Sequence, residues 1–115
     1  MLFKKEHIPM VLQCRKTQTR RTHKREWQVG KVYPFSDKLF GKPQGYVLIT
    51  RKWKEPLGAI SMEDVHKEGY NSLEEYQKVW ERIFKMPWNP DLIVKAYEFQ
   101  PCSKISKPLS GEEPQ

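Results

Sequence analysis

The chain has 115 residues, a formal net charge of +7 and 37 % apolar residues, with four Trp among them. That length fits one domain around one modest core, and the apolar and aromatic content excludes a disordered chain. The positive charge favours anionic partners and faster encounter with them, and carries no information about fold.

In chain order, Leu2 and Phe3 open a short strand. Residues 7–13 read as a brief helix, because Ile8, Val11 and Leu12 share a face and Pro9 is tolerated in a first turn. This apolar run is too short for a secretory segment or a membrane span. The helix ends near Cys14, and residues 17–21 run extended. Gly30 turns the chain into a strand from Val32, and Pro34 places that strand at an edge or a bulge. Residues 46–53 carry the strongest strand signal. Their apolar centre is expected to be buried on both faces and their polar end to emerge into solvent.

Pro56, Leu57 and Gly58 break the chain. Ser61, with Asp64 three residues on, caps a short helix to about Glu68, which Gly69 stops. Ser72 with Glu75 forms a stronger capping box, followed by Leu73, Tyr76, Trp80, Ile83 and Phe84 at helical spacing. Residues 87–90 form a rigid turn, and a last strand covers 92–99. The domain therefore spans residues 1–100, and residues 101–115 read as a frayed C-terminal tail. A helix, several strands, a helix pair and a closing strand make an α+β domain whose strands can curl into a small barrel, which removes exposed edges.

The stretch from Cys14 to Arg25 concentrates charge. Six of the eleven residues from Arg15 to Arg25 are Lys or Arg, with Thr and Gln between them and no acid before Glu26. Residues 1–31 hold nine Lys or Arg against Glu6 and Glu26, whereas residues 61–82 hold six acids against Lys67, Lys78 and Arg82. Positive potential is thus expected toward the N-terminal third. Threonine suits a strand, and strand alternation puts Thr17, Thr19 and Arg21 on one side and Gln18 and Arg20 on the other. One face then shows two hydroxyls and a guanidinium, with Lys16 beside them. Such a surface suits a phosphate-bearing partner, and equally serves as a solvated edge strand whose charges discourage aggregation. The nucleic-acid-binding candidates are Arg15, Lys16, Arg20, Arg21, Lys24, Arg25 and, as a stacking platform, Trp53; Trp88 is a second candidate platform.

His7, His23 and His66 have no metal-ligand spacing with one another or with the cysteines, so no metal site and no cofactor is assigned. Cys14 and Cys102 lie far apart, without a CxxC, which argues against a disulfide framework and for a reducing, cytoplasmic compartment. The chain is taken as a monomer, with its oligomeric state open.

The segment from Leu12 to Arg21 resembles the signature of the ASCH family, a relative of PUA domains. That signature is roughly Gly-x-Lys-x-x-Glu/Thr-x-Arg after a first helix, and the chain reads Cys14-x-Lys16-x-x-Thr19-x-Arg21. Residues 28–33, the strand through Ile49, the pair Glu68-Gly69 before Ser72, and residues 94–99 fall where that family has equivalents, so the resemblance covers about residues 2–99. It implies a small PUA-like β-barrel with flanking helices and a pocket directed at RNA or a nucleotide. The departure is Cys14 where the family usually has Gly. If that backbone needs a positive φ, a side chain there is strained.

One branch of the family, similar at Lys16, Thr19 and Glu68, contains small amidohydrolases that deacetylate N4-acetylcytidine. By that resemblance Thr19 attacks the carbonyl, Lys16 lowers its pKa or stabilises charge, Glu68 shuttles protons, and Arg21 holds a phosphate or positions a carboxylate. The leading expectation is an RNA- or nucleotide-binding module with a basic cleft at residues 14–21. The alternative is an amidohydrolase acting on N4-acetylcytidine or a related N-acylated nucleoside, and a third, weaker reading is a protein-interaction domain using the acidic helix of residues 72–85.

Overall fold

The computed structural model describes residues 1–103. A 3-10 turn, Lys5–His7, leads directly into helix α1, Ile8–Leu12, with Pro9 in its first turn. Strands β1, Gln18–Arg21, β2, Val32–Phe35, and β3, Gly45–Pro56, follow. A second 3-10 turn, Leu57–Ala59, precedes helices α2, Met62–Lys67, and α3, Leu73–Phe84, and strand β4, Ile93–Cys102, closes the order. The Ser61 hydroxyl accepts from the Asp64 N–H at 3.0 Å and that of Ser72 from Glu75 at 3.1 Å, so both expected caps form. Among the described residues, no helix is long and apolar enough to cross a membrane.

The four strands form one antiparallel sheet in the order β1-β4-β3-β2. Its longest ladder, β3 with β4, shifts register between Ile49 and Arg51. That bulge bends the sheet into a half-barrel. Pro34 sits in β2, an edge strand, where its missing N–H costs no ladder bond. β4 extends to Cys102, past the expected end at Phe99. The remainder of the expected tail, residues 104–115, lies outside the described residues.

Two apolar cores form on opposite faces of this sheet. Phe3, Ile8, Val11, Trp27, Ile49 and Phe99 belong to the first, which α1 covers. Leu57, Val65, Tyr76, Trp80 and Val94 belong to the second, under α2 and α3. On α3, Tyr76 and Trp80 are buried as the helical spacing requires, while Ile83 stays half exposed. Each large side chain so buried contributes about 1.5–3 kcal/mol. Trp88 is a wall of the second core, edge-on to Tyr76 at 5.9 Å and to Trp80 at 5.8 Å, and is not a free platform.

Between the cores runs a polar seam. Lys16, Gln18, Thr19, Arg20 and Glu68 are all buried. The acidic segment after Ser61 lies against the basic run, so Asp64 and Glu68 neutralise cations expected to face outward. Charge that reads as a surface feature in sequence is turned inward here, because buried ions persist only when paired and hydrogen-bonded.

Candidate functional site

The link from α1 to β1 places Lys16. The carbonyl of Met10 accepts from the N–H groups of both Arg15 and Lys16, which closes the helix and turns the chain. Cys14 takes φ of 61° in this turn, so a position where glycine has no penalty carries a side chain. Thr17 then donates its N–H to the Lys67 carbonyl at 2.8 Å and accepts from Phe99 at 3.0 Å. These bonds hold the end of α2 against the start of β1 and bring Glu68 to Lys16. Gly69, at φ of +104°, turns the chain just beyond, and a Cβ there would lie 3.0 Å from Met10 Cε.

Lys16 Nζ donates to Glu68 Oε1 at 3.2 Å, to the Glu68 carbonyl at 2.7 Å and to the Gln18 carbonyl at 3.1 Å. Its three protons are therefore all engaged. Burial draws the Lys16 pKa below its usual value, and the Glu68 charge opposes that shift. Arg20, on the face of β1 opposite Thr19 and Arg21, spends its five N–H donors on Glu55 Oε2 twice and on Asp64, Glu68 and Gln18 once each. Burial opposes its charge, but the Glu68 and Glu55 carboxylates outweigh that and raise its pKa. With a fully buried side chain and no donor to spare, Arg20 is a structural cation. Arg20, one of the expected nucleic-acid contacts, also borders the hollow described below, with its donors engaged by protein acceptors.

Thr19 and Arg21 share the other face, as strand alternation predicts. Arg21 Nε donates to Thr19 Oγ1 at 2.9 Å and one Nη to the Leu2 carbonyl at 2.8 Å. Its guanidinium lies over the rings of Phe3 and Trp27, at 5.4 and 5.2 Å. Among the described residues, its other terminal nitrogen makes no hydrogen bond, so Arg21 keeps donors that Lys16 and Arg20 lack.

β1 is an edge strand, and along it opens a hollow of about 460 Å³. Lys16, Thr19, Arg21 and Glu68 line it together. Its walls are aromatic and apolar, from Phe3, Tyr70, Tyr76, Trp80 and Phe84. Trp80 keeps its indole N–H buried without an acceptor among the described residues. His7 and His23 also line the hollow; His23 is held by the Arg25 carbonyl at 2.8 Å and stands edge-on to Trp27. The His7 ring is buried and edge-on to Tyr70, with centroids 5.3 Å apart.

Other candidates lie elsewhere. Arg15 is exposed and bonds Gln13, and Lys24 and Arg25 are exposed and outside the lining. Trp53 borders a separate hollow of about 140 Å³ with Lys52, Lys54 and Lys95. One of its faces carries the Arg51 guanidinium at 4.1 Å, and its N–H donates to Glu55 at 2.8 Å. Among the described residues, no group of three or more His, Cys, Asp or Glu side chains is arranged to hold a metal ion. His7, Tyr70 and Tyr76 went unrecognised in the sequence as site residues, since no spacing rule links one histidine before a helix to two tyrosines in distant segments.

No family model matches the chain, and no curated protein matches it. Solved structures do. An ASCH domain from Lactobacillus crispatus superposes with a TM-score of 0.69 and 18 % identity, over 82 % of this chain and 69 % of that one. A DUF984 protein from Enterococcus faecalis gives a TM-score of 0.66 and 17 % identity, over 84 % of this chain and 67 % of its own. The chain therefore has the α+β, PUA-like fold of an ASCH domain.

Proposed function

We propose that the hollow along β1 receives one nucleoside or nucleotide unit, free or displayed by an RNA. The observation that carries this reading is the convergence of Lys16, Thr19, Arg21 and Glu68 in one aromatic-walled cavity. Flat apolar walls suit a base, and a few fixed polar groups at one end orient it. The supply of free cationic donors is small, because Lys16 and Arg20 are saturated by protein acceptors. This favours a single unit over a long phosphate track. The test is titration with cytidine, cytidine monophosphate and short single-stranded RNA. Binding that Arg21→Ala weakens is expected, and no binding of any of them at low salt overturns the reading.

A second reading is hydrolysis of an N4-acylated cytosine. It is favoured by one hollow holding the Thr19 hydroxyl, the buried Lys16 ammonium and the Glu68 carboxylate. Thr19 Oγ would attack the amide carbonyl, its proton passing to the Glu68 carboxylate, with the Lys16 ammonium stabilising the charge that develops on the carbonyl oxygen. The C–N bond would then break as that proton reaches the departing amine, and water would release the acid and restore the hydroxyl. Arg21, already donating to Thr19 Oγ1, favours the anionic form of that oxygen. Incubation with N4-acetylcytidine tests this reading, and activity that survives both Lys16→Ala and Thr19→Ala discards it.

A further inference from the structure

We infer that His7, together with Tyr70 and Tyr76, reads the uncharged face of the ligand in the β1 hollow, and that His7 sets ligand specificity by a neutral hydrogen bond. This rests on the nucleoside reading above and adds to it which groups recognise the ligand.

The hollow's polar groups fall into two sets. Lys16 has no proton left to donate, and both Glu68 oxygens already accept, Oε1 from Lys16 and Oε2 from Arg20. The second set has capacity to spare. The His7 ring nitrogens and the Tyr70 and Tyr76 hydroxyls make no hydrogen bond among the described residues, although these residues are only 8 %, 8 % and 4 % exposed. All three line the hollow, from the turn before α1, the link after α2, and α3. Their polar atoms are not sealed from water, unlike the Trp80 indole N–H, so they open into the hollow with hydrogen-bonding capacity free for whatever fills it. A ligand seated there would exchange that water for direct bonds.

The charge state of these groups decides what they recognise. Burial, then the charges of Lys16, Lys4 and Arg21, pushes the His7 pKa down to about 3. Burial and the Glu68 charge push both phenols above their usual value. At neutral pH the hollow thus offers one imidazole, with one donor and one acceptor, and two phenols. These match the amide-like edge of a nucleobase. They give no advantage to a phosphate, which is left to Arg21 and Lys4. A base with so low a pKa is also a poor proton acceptor at neutral pH, so His7 positions and selects the ligand, and does not shuttle protons.

The experiment compares wild type, H7F and H7Q by calorimetric titration with cytidine and N4-acetylcytidine, with isotope-labelled imidazole NMR on the free wild type. H7F is expected to lose about 10-fold or more in affinity, the scale of one buried hydrogen bond left unmade. H7Q, which keeps a donor and an acceptor, is expected to recover most of it. His7 is expected to stay neutral in the free protein at about pH 5. Nucleoside binding that H7F leaves intact overturns this inference alone, as does a His7 titration midpoint near the ordinary 6.5. Wild type that binds neither nucleoside overturns the nucleoside reading as well.

Discussion

Lys16 and Glu68 meet across 52 residues of chain, through a side-chain contact of 3.2 Å and a shorter bond from the ammonium to the Glu68 carbonyl. Each is only 3 % exposed. Glu68 also carries Arg20 at 3.0 Å, so one carboxylate compensates two buried cations. Glu68→Gln leaves both short of their counter-charge, and breaking a buried pair from one side costs about 3–5 kcal/mol. A large drop in the urea midpoint is expected, with little change in slope. A variant as stable as wild type would show that the seam does not depend on this charge.

Arg20→Lys tests whether guanidinium geometry or charge alone matters. One ammonium has three protons for acceptors that now take five, and it cannot reproduce the planar fork. A loss of at least about 2 kcal/mol is expected, read by thermal unfolding. Arg15→Lys, at an exposed position with one local bond, should stay within about 0.5 kcal/mol of wild type.

His7 gives the protein an acid-side liability. The unfolded chain binds a proton at this ring near 6.5, the folded protein only near 3. Between those values the unfolded state holds more protons, so stability falls as pH drops through the window and is fully present above it. A plot of unfolding free energy between about pH 7 and pH 4 should flatten in H7F, and an unchanged slope would assign acid sensitivity to other groups.

Binding should depend weakly on salt. Lys16 and Arg20 are spent within the protein, which leaves Arg21 and Lys4 as lining cations with free donors among the described residues, so a log–log plot for cytidine monophosphate should have a slope no steeper than about −1 to −2. A slope of about −5 would place several phosphate contacts elsewhere on the surface.

Cys14 carries strain that glycine would relieve. A non-glycine residue at φ of 61° costs about 1 kcal/mol, part of which is returned because glycine loosens the unfolded chain. Cys14→Gly is expected to stabilise by about 0.5 kcal/mol, measured by chemical denaturation. A destabilised variant would mean that the Cys14 side chain makes compensating contacts.

Much of the fold was legible because its signals are local. The two serine caps, the strand through Ile49, the proline-marked edge strand and the alternation of Thr19 with Arg20 all follow from neighbours within a few positions. The site was legible in part through the Lys16, Thr19 and Glu68 pattern, which the fold does gather into one hollow. What escaped is non-local. Arg20 reads as a surface cation until Glu55 and Asp64 arrive from elsewhere, and Gln18 reads as exposed until it is nearly sealed. The three neutral reading groups stay separate in sequence and meet only through packing of α1, α2 and α3.

The position of β4 sets when the chain can fold. Gln18 donates to Glu98 across 80 residues, and β4 is the strand that joins β1 to β3. During synthesis, β1 has nothing to zip onto until residues 93–102 clear the ribosome. Up to that moment the nascent chain displays a cationic ribbon whose carboxylates have no fixed place, a form that would be vulnerable to nonspecific capture by ribosomal RNA.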